Sequence, residues 1–449
     1  MSASRKYFGT DGIRGRTGEA PITAEFALKL GWAVGQILAQ DGKGTVVIGK
    51  DTRISGYMLS AALESGFVAS GLDVYLLGPM PTPAIAYLTR SVGAQVGVVV
   101  SASHNPYYDN GIKFFSGEGK KFPDAIETKI ESLLSAKMTT ADPHGIGRAK
   151  FLEDAAGRYI EFCKGTFLKS HDLKGIKIVI DCANGAAYHI APNVFTELGA
   201  NLTVIHNHPD GFNINHECGS THPLSLQERV LKEQAEVGIA FDGDGDRVIF
   251  VDHKGEIVDG DELLYIIACS YHERGILNGG VVGTQMSNLG LERAFEKLHI
   301  PFMRTNVGDR YVMDALVQTG WILGGEGSGH LICLDKTTTG DGIVSALQVL
   351  AYMCQTNKTL HELKKGMTKC EQILLNVPVS NGAQVVKSQA VQSIVSKLEK
   401  ELHAKLRILL RPSGTEPLVR VMVEGEDKAL IEHTAQQIAE VVKKSAQVV

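Results

Sequence analysis

Short runs of β-branched residues alternate along this chain with longer stretches whose apolar positions recur three and four apart. Residues 24–39 place Phe26, Ala27, Leu30, Val34, Ile37 and Leu38 along one side of a helix, the spacing that a half-buried helix requires. Thr23 precedes it as a cap, since its hydroxyl can accept from an unpaired N–H of the first turn. Gly42 to Thr45 turn the chain into a strand, Val46-Val47-Ile48. A helix around 56–69 ends at Gly71, and Val74 to Leu77 form the next strand. This alternation predicts α/β architecture with parallel sheets. Pro79, Pro81 and Pro83 cannot donate to a ladder, so they mark a connection.

Three later strands run straight into polar loops. Val96 to Val100 leads into Ser101-Ala-Ser-His-Asn-Pro106. A second unit starts with Ile176 to Ile180 and the turn Asp181-Cys-Ala-Asn-Gly185, and its strand Val237 to Phe241 enters Asp242-Gly-Asp-Gly-Asp-Arg247. A third unit holds Val281 to Thr284 and Trp321 to Leu323, the latter entering Gly324-Gly-Glu-Gly-Ser-Gly-His330. One active site assembled from several strand ends is the expectation, because parallel sheets present ligands there. From about 371 the texture changes to a smaller α+β segment. It has strands at Ile373 to Val377 and Leu406 to Leu410, a charged helix around 385–404 and a closing helix. The predicted domains are 1–155, 156–255, 256–370 and 371–449, and residues 136–147 read as a surface loop.

Composition narrows the class without naming it. A chain of 449 residues exceeds one ordinary core, and 44% hydrophobic with 21% charged residues fits a globular protein. A formal charge of −5 gives no reason to expect a nucleic-acid partner, although a local basic pocket for a small anion stays open. No apolar stretch reaches the roughly 18–20 residues of a membrane span, and the opening MSASRKYFGT has no apolar run of a signal peptide. Seven scattered cysteines read as thiols of a reducing compartment, so the cytoplasm is expected. His206, His208, His216, Cys218 and His222 could bind zinc, but their spacing matches no compact zinc pattern. Gly211, Asn213 and Asn215 suggest a specific turn there instead.

The loops carry the chemistry. Asp242, Asp244 and Asp246 gather three carboxylates with only glycines between them, and each raises the proton affinity of the others unless a cation intervenes. Oxygen ligands favour Mg²⁺. An EF-hand would need Gly and Glu where Arg247 and His253 stand; an aspartyl-phosphate site built on Asp242 and Asp244 remains a rival. Ser103 is a weak nucleophile until deprotonated or phosphorylated. Its surroundings are not a G-x-S-x-G elbow, and the adjacent His104 is poorly placed as a triad base. Phosphoryl transfer joins Ser103, the basic Lys113 and the acidic loop most economically, since a cation and basic groups offset charge on the moving group. Arg411, Ser413, Gly414 and Thr415, with Arg420 nearby, form a phosphate cradle of forked donors and hydroxyls. Glu326, Ser328 and His330 either read sugar hydroxyls or stabilise their loop. Arg14, the group Lys50, Asp51 and Arg53, and Gly308-Asp-Arg310 are each as well explained by surface salt bridges.

Taken together, these strings resemble the α-D-phosphohexomutase superfamily over essentially the whole chain. Its phosphoserine loop is matched by Ser101 to Pro106, its metal loop by Asp242 to Arg247, its sugar loop by Gly325 to His330 and its phosphate loop by Arg411 to Pro417. Tyr7 to Gly15, Asn105 to Lys113 and Asn213 to His222 are similar to the bacterial branch that acts on glucosamine phosphates. The resemblance implies four domains around a central cleft, three sharing an α/β fold and a C-terminal α+β domain. It implies interconversion of α-D-glucosamine 1-phosphate and D-glucosamine 6-phosphate through phospho-Ser103, with glucosamine 1,6-bisphosphate or glucose 1,6-bisphosphate as intermediate or activator, supplying UDP-N-acetylglucosamine synthesis for the cell wall. Ser103, Asp242, Asp244 and Asp246 would hold Mg²⁺. Arg14, Lys113, His104 and Arg247 would act at the reaction centre. Glu326, Ser328 and His330 would contact sugar, and Arg411, Ser413, Gly414, Thr415 and Arg420 the other phosphate. The branch carries Gln where this chain has Gly327, and often Thr where it has Ser101. A homodimer is compatible with the resemblance.

Three activities remain to be separated. A mutase starts as a phosphoenzyme and recovers phosphoryl from the far end of a hexosamine bisphosphate. A phosphatase or other phosphotransferase would release phosphate without forming an isomer, and a sugar-phosphate sensor would bind without turnover. Among mutases, phosphoglucomutase or phosphomannomutase activity is the alternative.

Overall fold

The computed structural model describes residues 5–9, 11–38, 44–402, 405–412 and 417–446. By internal contacts the chain divides into a larger unit, residues 1–284 and 305–365, and a smaller one, residues 285–304 and 366–449.

Within the larger unit, the first sheet runs in the order Ile13–Arg16, Asp109–Ser116, Val96–Val100, Thr45–Lys50, Asp73–Pro79 and Ala149–Phe151. Its last four strands are parallel, whereas Asp109–Ser116 is antiparallel to both of its neighbours. The second sheet repeats the plan. Asn201–Ile205, Lys177–Asp181 and Val237–Phe241 are parallel, and Val248–Asp252 then returns antiparallel to Val237–Phe241. In the third, Val281–Thr284 and Leu323–Gly325 are parallel and Leu331–Cys333 returns antiparallel. The sheets are therefore mixed and not purely parallel as the alternation predicted. In this unit the loops that follow Val100, Phe241 and Gly325 each connect a strand with a parallel neighbour to its antiparallel return.

Local sequence explains the supports of this scaffold. Val96–Val100 and Val237–Phe241 are buried at every position, as expected for strands covered on both faces. The helix Ala24–Leu38 turns Ala27, Leu30 and Val34 inward, and the Thr23 hydroxyl accepts from Phe26 N at 3.2 Å. The proline connection contains an unpredicted helix, Thr82–Ser91, with Pro81 at its cap and Pro83 in its first turn, where a missing N–H costs no intrahelical bond. The strand predicted at Trp321 to Leu323 lies two residues later, at Leu323–Gly325.

In the smaller unit, Leu418–Gly425 is the central strand between Glu371–Pro378 and Leu406–Pro412, and both pairings are antiparallel. Val419, Val421 and Val423 join Ile431, Ala435, Ile438 and Val442 of the helix Lys428–Ala446 in one core. The charged stretch near 385–404 forms two helices, Gly382–Lys387 and Gln389–Glu401, broken at Ser388.

Candidate active site

Ser103 follows the buried strand Val96–Val100 and has φ +52°, a left-handed conformation uncommon for a non-glycine residue. Its N–H donates to Ser101 Oγ at 2.9 Å, and its hydroxyl donates to Asp242 Oδ2 at 2.7 Å. His104 Nδ1 lies 3.3 Å from the same hydroxyl oxygen, within reach despite its adjacency in sequence. The close approach of the two loops requires Gly243. A Cβ there would meet Ser103 O at 2.5 Å and Asn215 Nδ2 at 2.6 Å.

Asp242, Asp244 and Asp246 are all buried, and one oxygen from each can be chosen so that all lie within 4.8 Å of one another. Asp244 Oδ2 accepts from Thr82 Oγ1 at 2.7 Å and from Lys113 Nζ at 3.2 Å. Asp244 Oδ1 and Asp246 Oδ1 are buried without a hydrogen-bond partner. Burial, then the charges of Asp244 and Asp246, raise the Asp242 pKa well above the ordinary carboxylate value. Asp244 goes the other way: burial opposes its ionisation, but Lys113 and Thr82 outweigh that and hold it ionised. Converging, partly unsatisfied carboxylate oxygens of this kind fit a hard divalent cation with oxygen ligands.

Lys113 comes from the strand Asp109–Ser116 and is almost fully buried. Its ammonium lies 3.1 Å from Asp11, 3.2 Å from Asp244 and 3.8 Å from Asp246. Burial works against the cation, yet Asp11, Asp244 and Asp246 raise its pKa above the usual lysine value. Arg14 pairs with Asp11 on the neighbouring segment. His104 is held neutral, its pKa lowered to about 4 by burial and by Arg247 and Arg14.

A cavity of about 410 Å³ is lined by Ser103, Arg14, Asp246, Arg247, Glu326 and His330, among others. Glu326 Oε1 accepts from Gly308 N at 2.9 Å. His330 is buried with Nδ1 3.6 Å from Asp246 and Nε2 3.7 Å from Asp309. Burial disfavours its cation, but those two carboxylates raise its pKa to about 9. Ser328 is exposed and is not part of the cavity lining. Gly327 has no left-handed φ, and a Cβ on it would lie 3.2 Å from Asp261 Oδ2. Arg411 and Arg420 stand directly opposite each other on neighbouring antiparallel strands of the smaller unit. Ser413, Gly414 and Thr415 lie outside the described residues.

Several residues of the site carried no assigned role in the sequence reading. Lys121 Nζ is 2.6 Å from both Asp11 and Asp309 and so joins the serine side of the cavity to the sugar-loop side. Thr82 was hidden in the proline connection. Arg53 and Asp51, read as a surface pair, are fully buried beneath the serine loop. Among the described residues, only His206 and Cys218 of the histidine-rich segment group with a further potential metal ligand, Asp181. Asp181 already accepts from Ala183 N at 2.8 Å and Gly219 N at 2.9 Å and lies 3.1 Å from His206 Nδ1, an arrangement that closes a turn.

Residues 5–141, 157–255, 259–370 and 374–441 match, in order, α/β/α domains I, II and III and the C-terminal domain of phosphoglucomutase/phosphomannomutase. The chain belongs to this family. Its relatives narrow the comparison further. Phosphoglucosamine mutase of Photorhabdus laumondii is 57% identical over 441 residues, 98% of this chain and 99% of that protein. Phosphoglucosamine mutase of Hahella chejuensis is 58% identical over 443 residues, 98% and 100% of the two chains. Among solved structures, a phosphoglucomutase/phosphomannomutase family protein from Burkholderia thailandensis matches with a TM-score of 0.81 at 26% identity, covering 98% of each chain. N-acetylphosphoglucosamine mutase of Aspergillus fumigatus, in complex with GlcNAc-6P and magnesium, shares the fold at a TM-score of 0.67 and 18% identity, covering 99% and 96%.

Proposed function

We propose that this enzyme interconverts α-D-glucosamine 1-phosphate and D-glucosamine 6-phosphate, the activity for which its relatives of 57–58% identity are named. The observation that carries the reading is the Ser103 hydroxyl, 2.7 Å from Asp242, beside buried acidic oxygens and the Lys113 cation.

In this reading a phosphoryl group resides on Ser103 Oγ. A hydroxyl of the bound hexosamine phosphate attacks phosphorus, the P–Oγ bond breaks, and the attacking hydroxyl gives up its proton while the serine oxygen regains one. The product is a hexosamine 1,6-bisphosphate. After it turns over, its other phosphoryl returns to Ser103 and the isomer leaves. Lys113, held cationic by its carboxylate neighbours, balances charge on the moving group, and His104 flanks the Ser103 oxygen at 3.3 Å. Arg14 and Arg247 line the same cavity and supply further positive charge. Ser103, Asp242, Asp244 and Asp246 would hold Mg²⁺, which when bound offsets phosphoryl charge. Glu326 and His330 are assigned to the sugar, with Ser328 beside them in the loop. Arg411 and Arg420, with Ser413, Gly414 and Thr415, are assigned to the phosphate that is not being transferred.

A glucosamine or glucose 1,6-bisphosphate activator, a cytoplasmic location, a homodimer and a role in supplying UDP-N-acetylglucosamine belong to the same proposal. No described helix is long and apolar enough to cross a membrane. The second reading, glucose or mannose phosphate as substrate, rests on the wider family match. The deciding experiment gives the phosphorylated protein glucosamine, glucose and mannose phosphates separately, with Mg²⁺ and a bisphosphate. Glucosamine phosphate should have the highest kcat/KM; preference for another sugar selects the second reading, and phosphate release without isomer selects a phosphatase.

A further inference from the structure

Arg53 has no exposed surface, and it is the largest of the fully buried side chains. A buried guanidinium needs partners for all its donors, and nearly all of these lie in one irregular stretch of backbone. Nη2 donates to Ser103 O at 2.9 Å and Asn105 O at 2.8 Å. Nη1 donates to Pro106 O and, at 3.1 Å, to Asp109 O. Nε donates to Asp51 Oδ2 at 2.7 Å. That same carboxylate oxygen accepts from Ser101 Oγ at 2.6 Å, and Ser101 Oγ accepts from Ser103 N at 2.9 Å. Ser103 is therefore gripped at both ends of its own backbone: its carbonyl by Arg53 directly, its N–H through Ser101 and Asp51. Asn215 adds a second donor to the carbonyls of Ser103 and Asn105, at 2.9 and 3.1 Å.

Between those two grips Ser103 holds φ +52°, a conformation that persists only when its surroundings over-determine it. The backbone angle fixes where Cβ points, and hence that Oγ faces Asp242 at 2.7 Å. A guanidinium suits the task because its rigid fork meets several carbonyls at set angles, whereas an ammonium is a single point charge.

We infer that Arg53, acting with Asp51 and Ser101, is a positioning residue for phosphoryl transfer, aiming Ser103 Oγ by clamping the backbone on either side of it. Arg53 touches no reacting atom. The inference rests on Ser103 being the phosphorylated residue.

The test is Arg53→Lys, which keeps the charge opposite Asp51 but not the fork. With folding verified by thermal melting, kcat should fall by about 30- to 100-fold, the scale of a small misplacement of reacting groups. KM for glucosamine phosphate should stay within about threefold, since the sugar and phosphate contacts are untouched. In single turnover, loss of phosphoryl from phospho-Ser103 to substrate should slow by the same factor as kcat. Ser101→Ala leaves the ion pair intact and should lower kcat by roughly tenfold, while Ser101→Thr, which restores the hydroxyl, should recover it. If Arg53→Lys does not fold, the Ser101 pair decides. A kcat within twofold of the parent in folded Arg53→Lys overturns the inference. So does a loss confined to KM, or, where the Ser101 pair decides, an Ala variant as active as the Thr one. Ser103→Ala runs alongside: if that variant still turns over, the phosphoserine reading itself has failed, and the inference fails with it for a separately visible reason.

Discussion

The Ser103 hydroxyl and the Asp242 carboxylate meet at 2.7 Å across 139 positions of sequence. A neutral alcohol donates to a carboxylate whose ionisation is disfavoured by burial and by two neighbouring carboxylates. Adding phosphate to that alcohol places further negative charge at the same point, and removing a carboxylate weakens whatever cation balances it.

Asp244 gives the sharpest form of that prediction. Asp244→Ala deletes a buried oxygen that has no protein partner and another held by Thr82 and Lys113. Mg²⁺ should raise the melting temperature of the parent protein, because a ligand bound only to the folded state stabilises it, and should leave the variant unmoved. Turnover should drop by about 100-fold or more, the scale of losing charge stabilisation at a reacting group. Melting curves with and without Mg²⁺, beside turnover assays, check both. A folded variant with the parent's metal response would remove Asp244 from the site.

Gly243→Ala should harm both fold and rate. The added methyl meets a backbone carbonyl at 2.5 Å and an amide at 2.6 Å, so the serine and metal loops must move apart. Overpacking of this kind costs about 1–3 kcal/mol, visible as a lower midpoint in urea. Activity should fall further than stability alone explains, since the displaced carbonyl belongs to Ser103.

Asp341 sets a pH dependence of stability. It caps the helix Gly342–Thr356 by accepting from Val344 N at 2.9 Å, and it accepts from the Tyr159 hydroxyl at 2.7 Å. Burial pushes its pKa up to about 6, from the ordinary aspartate value of 3.8. Between these values folded Asp341 holds its proton longer than unfolded Asp341 does, so its contribution to stability falls as pH rises from about 4 through 6. Asp341→Asn, which can still cap the helix, should flatten that stretch of the profile. Urea unfolding of both proteins from pH 4 to 8 is the measurement, and parallel profiles would show that Asp341 does not carry the effect.

Gly327→Gln should change sugar discrimination while leaving formation of phospho-Ser103 intact. Position 327 has no left-handed backbone angle to bar a side chain, and the new Cβ, 3.2 Å from the Asp261 carboxylate, requires that carboxylate to shift by a few tenths of an ångström. A glutamine amide can donate to that carboxylate and stiffen the loop between Glu326 and Ser328. The ratios of kcat/KM for glucosamine, glucose and mannose phosphates should shift, with the melting temperature nearly unchanged. Unchanged ratios in a folded, normally phosphorylated variant would count against a role for this position.

What could be read from sequence was whatever lies within one loop or one period. Val237 to Phe241 and Asp242 to Asp246 announce a strand and an acidic group because the whole signal is local. The strand Leu418–Gly425, central in its sheet, was missed although Val419, Val421 and Val423 alternate cleanly; it follows directly on a segment read for its phosphate chemistry. Lys113 was found as a basic residue, but not the strand Asp109–Ser116 that aims it. Thr82 and Lys121 could not be found at all. A threonine among prolines and a lysine beside a lysine carry no mark until folding brings Asp244 to one and Asp11 with Asp309 to the other. Arg53 shows the same limit from the other side, since a salt-bridge pattern in sequence says nothing of whether it ends in water or under a loop.

The antiparallel returns bear on how this chain tolerates change. Val100 pairs with Ile112, Phe241 with Val248 and Gly325 with Leu331, so both ends of every tip are pinned by a ladder, and the residues between are held by other contacts such as those of Arg53 with the Ser103 and Asn105 carbonyls. The tips are also tied to one another: Ser103 Oγ donates to Asp242, Gly243 leaves no room for a Cβ against Ser103 O, and Val248 N donates to Gly329 O at 3.0 Å. A change in the acidic trio is therefore felt at the nucleophile through Asp242 and at the glutamate–histidine pair through the approach of Asp246 to His330, so the three tips must change in concert.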